Sequence, residues 1–313
     1  MVNSKCFNLY HLMKVFDCTT FYNENMMLEL RFNILDPYID KFVITEAKYS
    51  HSGEKKKLNF DINKFKDFKK KINYIVVENE PDNLFDENKL HLDKSGNNQI
   101  RENSIKRIAH QRDSLISGIE EADENDYIFY SDNDEIPRFE NVNLEKNKNK
   151  IVAFKQKLFY YKFNLLCDRI EWHGTRGCKK KHLKSFSWLR DLKIKNYPIY
   201  RIDTLFSDTK YTNIKIITDG GWHFSQVKSP EDIYIKLTNH EEHAEFKDSK
   251  KTLKDIKDMV KRKVINFDHQ AKSRDYKYSN EFKLKTLSVK EMPSFVQKNL
   301  DKYSDWLDLE NNI

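Results

Sequence analysis

Glycine is scarce in this chain, and its scarcity argues against the common phosphate-binding loops. Only 7 of the 313 residues are glycine. None falls in the G-x-G-x-x-G pattern of a dinucleotide site or in the G-x-x-x-x-G-K pattern of a P-loop. Both loops need glycine because the backbone must approach a phosphate closely. If this protein binds a nucleotide, another device must neutralise the phosphate charge.

Long apolar runs and paired cysteines are also missing. No window approaches the roughly 18 apolar residues of a membrane-spanning helix, and the first residues lack the apolar core of a signal peptide. We therefore expect a soluble protein, cytoplasmic or otherwise intracellular, without a membrane anchor. The four cysteines form no C-x-x-C pair, which argues against a redox motif and against a disulfide framework: Cys6, Cys18, Cys167 and Cys178.

Two histidine-containing patterns resemble metal sites but lack the required spacing. Cys167 and Cys178 could be combined with His173 and His182, yet ten residues separate the two cysteines, which is unlike a zinc knuckle. The H-E-E-H run at 240–243 places its histidines at i and i+3, whereas the zincin pattern H-E-x-x-H needs i and i+4. The sequence therefore gives little support to zinc.

Charged residues are abundant and mixed in sign. The chain has 56 Lys and Arg against 49 Asp and Glu, a formal net charge of +7. The basic runs at 55–57, 69–71 and 179–181 are scattered among acidic residues, so the pattern favours a solvated, mixed-charge surface over nucleic-acid binding. A chain of this length can bury a large core.

Strand-like and helix-like segments alternate along the first 140 residues, which predicts βαβ units and an α/β fold with a mostly parallel central sheet and flanking helices. Strands are expected at Val15–Thr19, Phe42–Glu46, Asn73–Val77 and Tyr127–Ser131, and helices at Asn25–Leu35, Ile62–Lys70 and Ser104–Glu121. Later strands are expected at Ile151–Phe154 and Leu158–Phe163, and later helices at Thr252–Val264 and Glu291–Leu300.

An acidic cluster follows the last of the early strands. The apolar run Tyr127–Tyr130 leads directly into S-D-N-D-E-I-P. In an extended backbone Asp132 and Asp134 point to the same side, and their repulsion is about 4 kcal/mol at about 4 Å and a dielectric near 20. A cation between them is one solution, and oxygen ligands suit Mg²⁺ or Mn²⁺. A turn without a ligand is the alternative. An EF-hand loop is excluded because Ile136 and Pro137 occupy its fifth and sixth positions.

Several motifs together resemble glycosyltransferase family 17, whose animal members add the bisecting N-acetylglucosamine to N-glycans. They occur in the family's order along roughly residues 14–140 and 215–260, whereas the segment from about 141 to 213 matches no motif. Such agreement in order is more specific than any single motif. The motifs are V-F-D-C-T-T-F-Y-N-E at 15–24 with L-E-L-R at 28–31, F-V-I-T-E-A at 42–47 with H-S-G at 51–53 and K-L-N-F at 57–60, Q-R-D at 111–113, S-D-N-D-E-I-P at 131–137, and G-G-W-H-F-S at 220–225 followed by I-Y-I-K-L at 233–237.

The resemblance implies a GT-A (nucleotide-diphospho-sugar transferase) fold and a glycan acceptor. It also implies a UDP-sugar donor, with UDP-N-acetylglucosamine expected, and a divalent cation, Mn²⁺ or Mg²⁺. In that scheme Asp132 and Asp134 bind the metal and His223 is the third ligand. Residues expected to contact the donor are Asp17, Glu46, Arg112, Asp113 and Asp132. Residues 1–265 would form the catalytic domain, with the nucleotide-sugar half at about 1–140 and the acceptor half at about 141–265, and residues 266–313 a helical appendage.

Several of these residues have an ordinary structural interpretation as well. His223 lies between Trp222 and Phe224, where a core histidine is common. Arg112 falls within an apolar helical stripe, so its stem could simply cover the core. Two further tryptophans, Trp172 and Trp188, could stack on an acceptor sugar or fill the core.

The family's inverting chemistry requires a general base, and the sequence offers two candidates. Glu135 and Glu242 could each deprotonate an acceptor hydroxyl. Glu135 could instead support the metal ligands, and Glu242 could be an exposed helical residue. Two other classes of function stay open: a metal-dependent nucleotidyltransferase or phosphohydrolase, and a carbohydrate-binding protein that has lost turnover.

Overall fold

The computed structural model describes residues 13–87, 94–140, 142–195, 197–198, 200–204, 206–239, 246, 249–270, 278 and 280–309. No helix within these residues is long and apolar enough to cross a membrane. The strands are β1 Val15–Thr20, β2 Lys41–Ala47, β3 Ile72–Val77, β4 Tyr127–Tyr130, β5 Glu135–Pro137, β6 Ile151–Tyr160, β7 Leu165–Lys179, β8 Ile214–Ile217, β9 Gly221–Ser225, β10 Val264–Ile265, β11 Phe282–Lys283 and β12 Lys285–Thr286. The α-helices are α1 Asn25–Leu35, α2 Lys94–Asp113, α3 Phe186–Asp191, α4 Pro230–Asn239, α5 Leu253–Arg262, α6 Ser294–Lys298 and α7 Leu300–Tyr303.

One mixed sheet organises the α/β fold. Its order is β3-β2-β1-β4-β7-β6-β9-β5, with β8 paired to β6 and β12 paired to β7. The first four strands are mutually parallel, as predicted. Beyond them β7 is antiparallel to both β4 and β6, and β5 is antiparallel to β9. The expected mostly parallel sheet therefore holds for the N-terminal half, and the C-terminal half is mixed.

The parallel half follows from the apolar strands of the sequence. Strand β4 is buried along its whole length and β1 along all but its last residue. Strands covered on both faces read as continuous apolar runs, which is why they were recognisable. Helix α1 covers one face and has the predicted bounds. These elements fix the carboxyl ends of β1 and β4 side by side.

The helix before β4 differs from the prediction. Helix α2 begins at Lys94, ten residues earlier than expected, and at Ser114 the chain tightens into a 3-10 helix that ends at Ile119. Leu115 and Ile119 are buried, but Ile116 is 52% exposed. A 3-10 helix has 3.0 residues per turn, so an apolar stripe of period 3.6 does not continue through it. The segment Ile62–Lys71 is likewise 3-10 rather than α-helical.

The middle and end of the chain also depart from expectation. The two short strands predicted near 151–163 are one strand, β6, paired with the long strand β7 through register shifts. The C-terminal segment is not a helical appendage, because β12 pairs with β7 and Tyr303 lies in the same core as Phe159 and Phe224. Its helices α6 and α7 are short, since the helix predicted at 291–300 is broken at Asn299.

Candidate active site

A cleft of about 940 Å³ opens at the carboxyl ends of β1 and β4. Ligands bind at this edge in open α/β sheets. The acidic loop after β4 contributes Asp132, Asn133 and Asp134 to the wall, and strand β9 contributes His223. Helix α4 closes the opposite side with Lys236. The predicted metal ligands therefore face one cleft.

A buried arginine supports the acidic loop from below. Arg31 of α1 donates Nε to Asp17 Oδ2 at 2.7 Å and Nη2 to Asp17 Oδ1 at 2.5 Å. Its Nη1 donates to the backbone carbonyl of Glu135 at 2.8 Å, and Nη2 also donates to the hydroxyl of Ser131 at 2.5 Å. Asp17 is thus fully engaged beneath the loop and does not line the cleft. Asp17 was predicted to contact the nucleotide-sugar donor, but it pairs with Arg31 instead.

The pairing of β5 with β9 brings Asp134 to His223. Glu135 lies opposite His223 in the register, and the Phe224 N–H donates to the Asp134 carbonyl at 2.8 Å. Gly221 allows this close pairing, because at its φ of +118° a Cβ would lie 2.2 Å from the Ile136 carbonyl oxygen. His223 Nε2 is then 3.5 Å from Asp134 Oδ1.

The pKa values of this pair shift toward its charged form. Burial disfavours the charged form of each group, but Asp134 raises the pKa of His223, while His223 and Lys236 lower the pKa of Asp134. The other ring nitrogen of His223, Nδ1, is buried and has no hydrogen-bond partner among the described residues. This unsatisfied atom is unusual for a histidine that only fills a core.

Asp132 points toward a different set of partners. Its Oδ2 accepts from Arg190 Nη2 at 2.9 Å and its Oδ1 from the Tyr130 hydroxyl at 2.9 Å. Burial alone would favour the neutral acid, but the Arg190 and Arg112 cations hold the pKa of Asp132 well below its usual range. The side chain is still 37% exposed, and that exposure opens into the cleft. An incoming anion can therefore reach Arg190.

Glu135 lies beneath the cleft rather than in its wall. Its Oε2 accepts from the Asp132 N–H at 3.1 Å and its Oε1 from the Trp172 indole N–H at 2.6 Å. The side chain is fully buried, and burial raises its pKa, opposed by Arg190 and reinforced by Asp132. Both oxygens are occupied in supporting the loop, so this placement favours the supporting role over the general base.

The other expected site residues divide between the cleft and the scaffold. Arg112 lines the cleft and donates Nε to the Tyr130 hydroxyl at 3.0 Å. Asp113 instead accepts from the Ser187 N–H at 2.7 Å and so ties α2 to α3. Glu46 is buried and accepts from Lys56 Nζ at 2.5 Å and from the Asn59 N–H at 2.7 Å. Neither acid is part of the cleft wall.

Some candidates lie outside the described residues. They include Glu242, the second candidate base, together with the rest of the H-E-E-H run. Within the described chain the cysteines Cys18, Cys167 and Cys178 are buried free thiols. No group of three His, Cys, Asp or Glu side chains in that part of the chain converges closely enough to hold a metal ion. The zinc arrangement is therefore absent from the described residues.

Two donors of the kinds that bind divalent cations meet at the loop. The Asp134 Oδ1 oxygen and the His223 Nε2 nitrogen lie 3.5 Å apart, and each is at present the other's partner. Magnesium and manganese sites in nucleotide enzymes commonly use one or two carboxylates, and substrate phosphates complete the shell. Asp132 lies in the same loop but is held by Arg190, so the three predicted ligands do not converge on one point among the described residues.

Comparison with known families identifies the family of the chain. The family model of glycosyltransferase family 17 matches residues 6–307, nearly the whole chain. The chain belongs to glycosyltransferase family 17. This confirms the family predicted from the motifs, and it indicates a glycosyltransferase, a class of enzyme that uses a sugar donor and an acceptor.

The other comparisons add little for this family 17 enzyme. No curated protein matches the chain. Among solved structures, the crystal structure of HddC from Yersinia pseudotuberculosis complexed with GMP-PN is similar over 71% of this chain and 97% of that chain. The two share 11% sequence identity with a TM-score of 0.29, which is too low to carry an argument.

Two cations of this glycosyltransferase cleft were missed in the sequence. Arg190 lies on α3, within the segment that matches no motif, and Lys236 lies on α4 with Nζ 4.0 Å from Asp134 Oδ2. Burial lowers the pKa of Lys236, but the negative charges of Asp134 and Glu24 raise it by a larger amount. The lysine therefore stays charged. Spacing could not have identified Arg190. Lys236 lies within the I-Y-I-K-L run quoted for the resemblance, but nothing in the sequence showed that it faces Asp134.

The two tryptophans considered as acceptor contacts, Trp172 and Trp188, lie in different environments. The Trp172 ring lines the cleft with its centroid 4.8 Å from that of His223 and 5.8 Å from that of His269. Trp188 instead donates its indole N–H to the Asp208 carbonyl at 2.7 Å and packs on Tyr211. Of the two, only Trp172 lines the cleft beside His223.

Proposed function

We propose that this enzyme transfers N-acetylglucosamine from UDP-N-acetylglucosamine to a hydroxyl of a glycan acceptor, with a divalent cation and with inversion at the anomeric carbon. The observation that carries the proposal is the meeting of Asp134, His223 and Asp132 with Arg190, Arg112 and Lys236 at the end of β4. A chain without glycine-rich phosphate loops must neutralise a diphosphate in another way. Acidic residues that bind a metal ion and basic residues that contact the phosphate both do so. The parallel block β3-β2-β1-β4 supports a GT-A fold.

The donor's diphosphate would occupy the space between the cations. Arg190 and Arg112 flank Asp132, and Lys236 reaches Asp134 from the opposite wall. An arginine fork suits phosphate oxygens in two-point contact, and lysine acts as a point charge. The same groups would stabilise the negative charge that develops on the leaving UDP as the glycosidic bond breaks.

Asp134 and His223 would hold the metal, and Asp132 would join them. When bound, a divalent cation neutralises the diphosphate and favours departure of UDP. The chain's own contribution is orientation: Glu135 and Arg31 fix the loop backbone, and β5 pairing fixes the His223 ring. His223 must be neutral to bind a metal, so its proton has to leave when the metal enters.

The acceptor would lie on the aromatic side of the cleft. Trp172, Tyr160, Phe267 and His269 line this wall, and the Tyr160 hydroxyl is hydrogen-bonded to His269 Nε2 at 2.5 Å. Aromatic faces with polar edges bind sugars through C–H contacts and hydroxyl hydrogen bonds. Inversion requires a base on this side of the donor. Glu242 remains our candidate for it, since Glu135 is buried below.

Donor turnover tests the metal assignment. We expect release of UDP from UDP-N-acetylglucosamine to stop with EDTA and to return with Mn²⁺ or Mg²⁺. Asp134→Asn should lower turnover by about 100-fold or more while the melting temperature changes little, because the side chain keeps its shape. Asp219→Asn, which removes an acid paired with Arg138 outside the cleft, is the matched control and should retain activity. Full turnover in chelator would contradict the metal assignment.

Two further measurements separate the alternative classes. Titration calorimetry with UDP against nucleoside triphosphates should favour UDP, whereas a nucleotidyltransferase should prefer the triphosphates. Proton NMR of the anomeric signal should show inversion of the donor's configuration in the product. A retained configuration would contradict the inverting scheme, and sugar binding without any UDP release would indicate a carbohydrate-binding protein.

A further inference from the structure

The net charge of the chain is concentrated in one segment. Residues 179–215 contain ten Lys or Arg and three Asp, a net +7 that equals the charge of the whole chain. The remaining residues carry equal numbers of both signs. Considered as single runs, the lysines at 179–181 resemble part of a mixed surface, and the asymmetry appears only when the entire segment is counted.

Part of this segment is a loop that is closed at its base. The Lys193 N–H donates to the Thr209 carbonyl at 2.8 Å, and the Trp188 indole fixes the Asp208 carbonyl beside it. Ile202–Thr204 forms a 3-10 turn in between. The 193–209 loop therefore leaves the body of the protein and returns to it at one place, directly after α3.

The described tip of the loop exposes three large hydrophobic side chains. Tyr200 is 81% exposed, Ile202 69% and Phe206 86%. They are the three most exposed large hydrophobic residues of the described chain, and they lie within seven positions of one another. Single exposed hydrophobic residues are ordinary, but a cluster of this kind marks an interaction surface.

Basic side chains flank the hydrophobic tip along the sequence, from the base of the loop at Lys193 to Lys210. Lys193 and Lys195 are exposed, and within the described part of the chain neither is paired with a carboxylate. Arg201 and Lys210 both pair with Asp203, so these three side chains together keep a net positive charge. Aromatic and aliphatic side chains combined with lysine are the composition of segments that lie in the headgroup region of anionic membranes. The aliphatic Ile202 favours a lipid partner over nucleic acid, because base stacking uses aromatic rings.

We propose that the 193–209 loop docks this protein on an anionic membrane surface. Tyr200, Ile202 and Phe206 enter the interface between headgroups and acyl chains, while Lys193 and Lys195 pair with anionic headgroups. The proposal goes beyond the transfer reaction and does not depend on which donor the cleft binds. Because α3 carries Arg190 in the cleft and leads into the loop, docking also holds the cleft near the membrane.

Vesicle sedimentation tests the proposal with the full chain. We expect binding to vesicles of phosphatidylcholine mixed with an equal amount of phosphatidylglycerol, weaker binding at high salt, and little binding to phosphatidylcholine alone. The double change Ile202→Ser and Phe206→Ser should weaken binding by about 10-fold or more. The matched control Ile116→Ser removes an exposed isoleucine outside the loop and should leave binding unchanged.

The basic contribution is tested separately. Changing Lys193 and Lys195 to Gln should weaken binding by about fivefold for each lysine, whereas the same change at Lys69 and Lys70 should have no effect. Equal binding to neutral vesicles, or equal binding by the tip variant and wild type, would overturn the proposal. Single-stranded RNA bound more tightly than vesicles and lost in the same variants would replace the membrane with nucleic acid. We expect the tip variants to release UDP at the wild-type rate in the absence of vesicles. This control shows that a loss of vesicle binding does not come from damage to the cleft.

Discussion

Two arginine–aspartate pairs lie on opposite sides of the same acidic loop. Below the loop, Arg31 and Asp17 are both buried, and Arg31 also holds the Glu135 carbonyl. Above it, Arg190 and Asp132 meet at 2.9 Å at the wall of the cleft. The chemistry of the pairs is the same, and only their access to solvent and ligand differs.

This difference in access separates structure from function. A buried ion pair has no replacement partner, so removing one member leaves an uncompensated charge at a cost of about 3–5 kcal/mol. A fully exposed pair contributes about 0–1 kcal/mol to stability, and the partly exposed Arg190–Asp132 pair lies between these limits while remaining open to a competing anion. We infer that Arg31–Asp17 holds the fold and that Arg190–Asp132 is available to substrate.

Removing the buried arginine should have the largest effect. Arg31→Met should lower the free energy of unfolding by about 3–5 kcal/mol, because Asp17 loses its counter-charge and the loop carbonyls lose a donor. Denaturant unfolding measures it. The double variant Arg31→Met with Asp17→Leu should recover part of the loss, since no charge is left unpaired. A single variant within about 1 kcal/mol of wild type would contradict the structural role.

Removing the cleft arginine should affect use of the donor more than the fold. Arg190→Gln should raise the donor concentration for half-maximal turnover by about 10-fold to 100-fold, the usual value of hydrogen bonds to a charged group. Because Arg190 is only 18% exposed and also lies 3.5 Å from the buried Glu135 carboxylate, the free energy of unfolding should fall by about 1–2 kcal/mol, less than for Arg31→Met. Arg201→Gln, which breaks an exposed pair with Asp203, should change neither quantity. A large loss of stability with normal donor use would remove the distinction between the two pairs.

The acidic loop could be predicted from the sequence, whereas the partners of its charged residues could not. The acidic loop was recognisable because a buried strand runs directly into it, and both features are local. The role of Asp17 was misjudged because a carboxylate at a strand end looks alike whether it faces a ligand or an arginine. Arg31 was visible in the L-E-L-R motif, but only the packing of α1 under the loop shows which partner it takes.

The segment between 141 and 213 was the least predictable part of the fold. Strand β7 alternates buried and exposed positions irregularly, and its pairing with β6 shifts register twice. Such pairing depends on contacts across the sheet rather than on local pattern. Arg190 belongs to this segment, so its place in the cleft followed from tertiary structure alone. Lys236 lay within the recognised I-Y-I-K-L run, but only the packing of α4 at the cleft shows that it faces Asp134.

The histidine of the cleft gives a third and smaller test. His223→Ala should raise the metal concentration needed for half-maximal activity by about 10-fold, because one ligand is lost. His182→Ala, outside the cleft, should leave that concentration unchanged. Metal titrations paired with melting curves check both variants. If His223 only fills the core, its loss should lower the melting temperature while the metal requirement of the folded enzyme stays constant.

The smallest effect concerns His51, which lines the cleft near these cations. Burial and the positive charge of Lys236 lower its pKa from the usual 6.5 to about 4, only partly opposed by Glu24. The unfolded chain therefore binds more protons than the folded one below about pH 6.5, so stability falls as the pH drops from 6.5 toward 4. The loss of stability between pH 6.5 and pH 4 that is due to His51 should be about 1 kcal/mol at most, and His51→Gln should remove it. A bound diphosphate adds negative charge, so UDP should raise the pKa of His51 as followed by NMR. An unchanged pKa on UDP binding would place the diphosphate elsewhere.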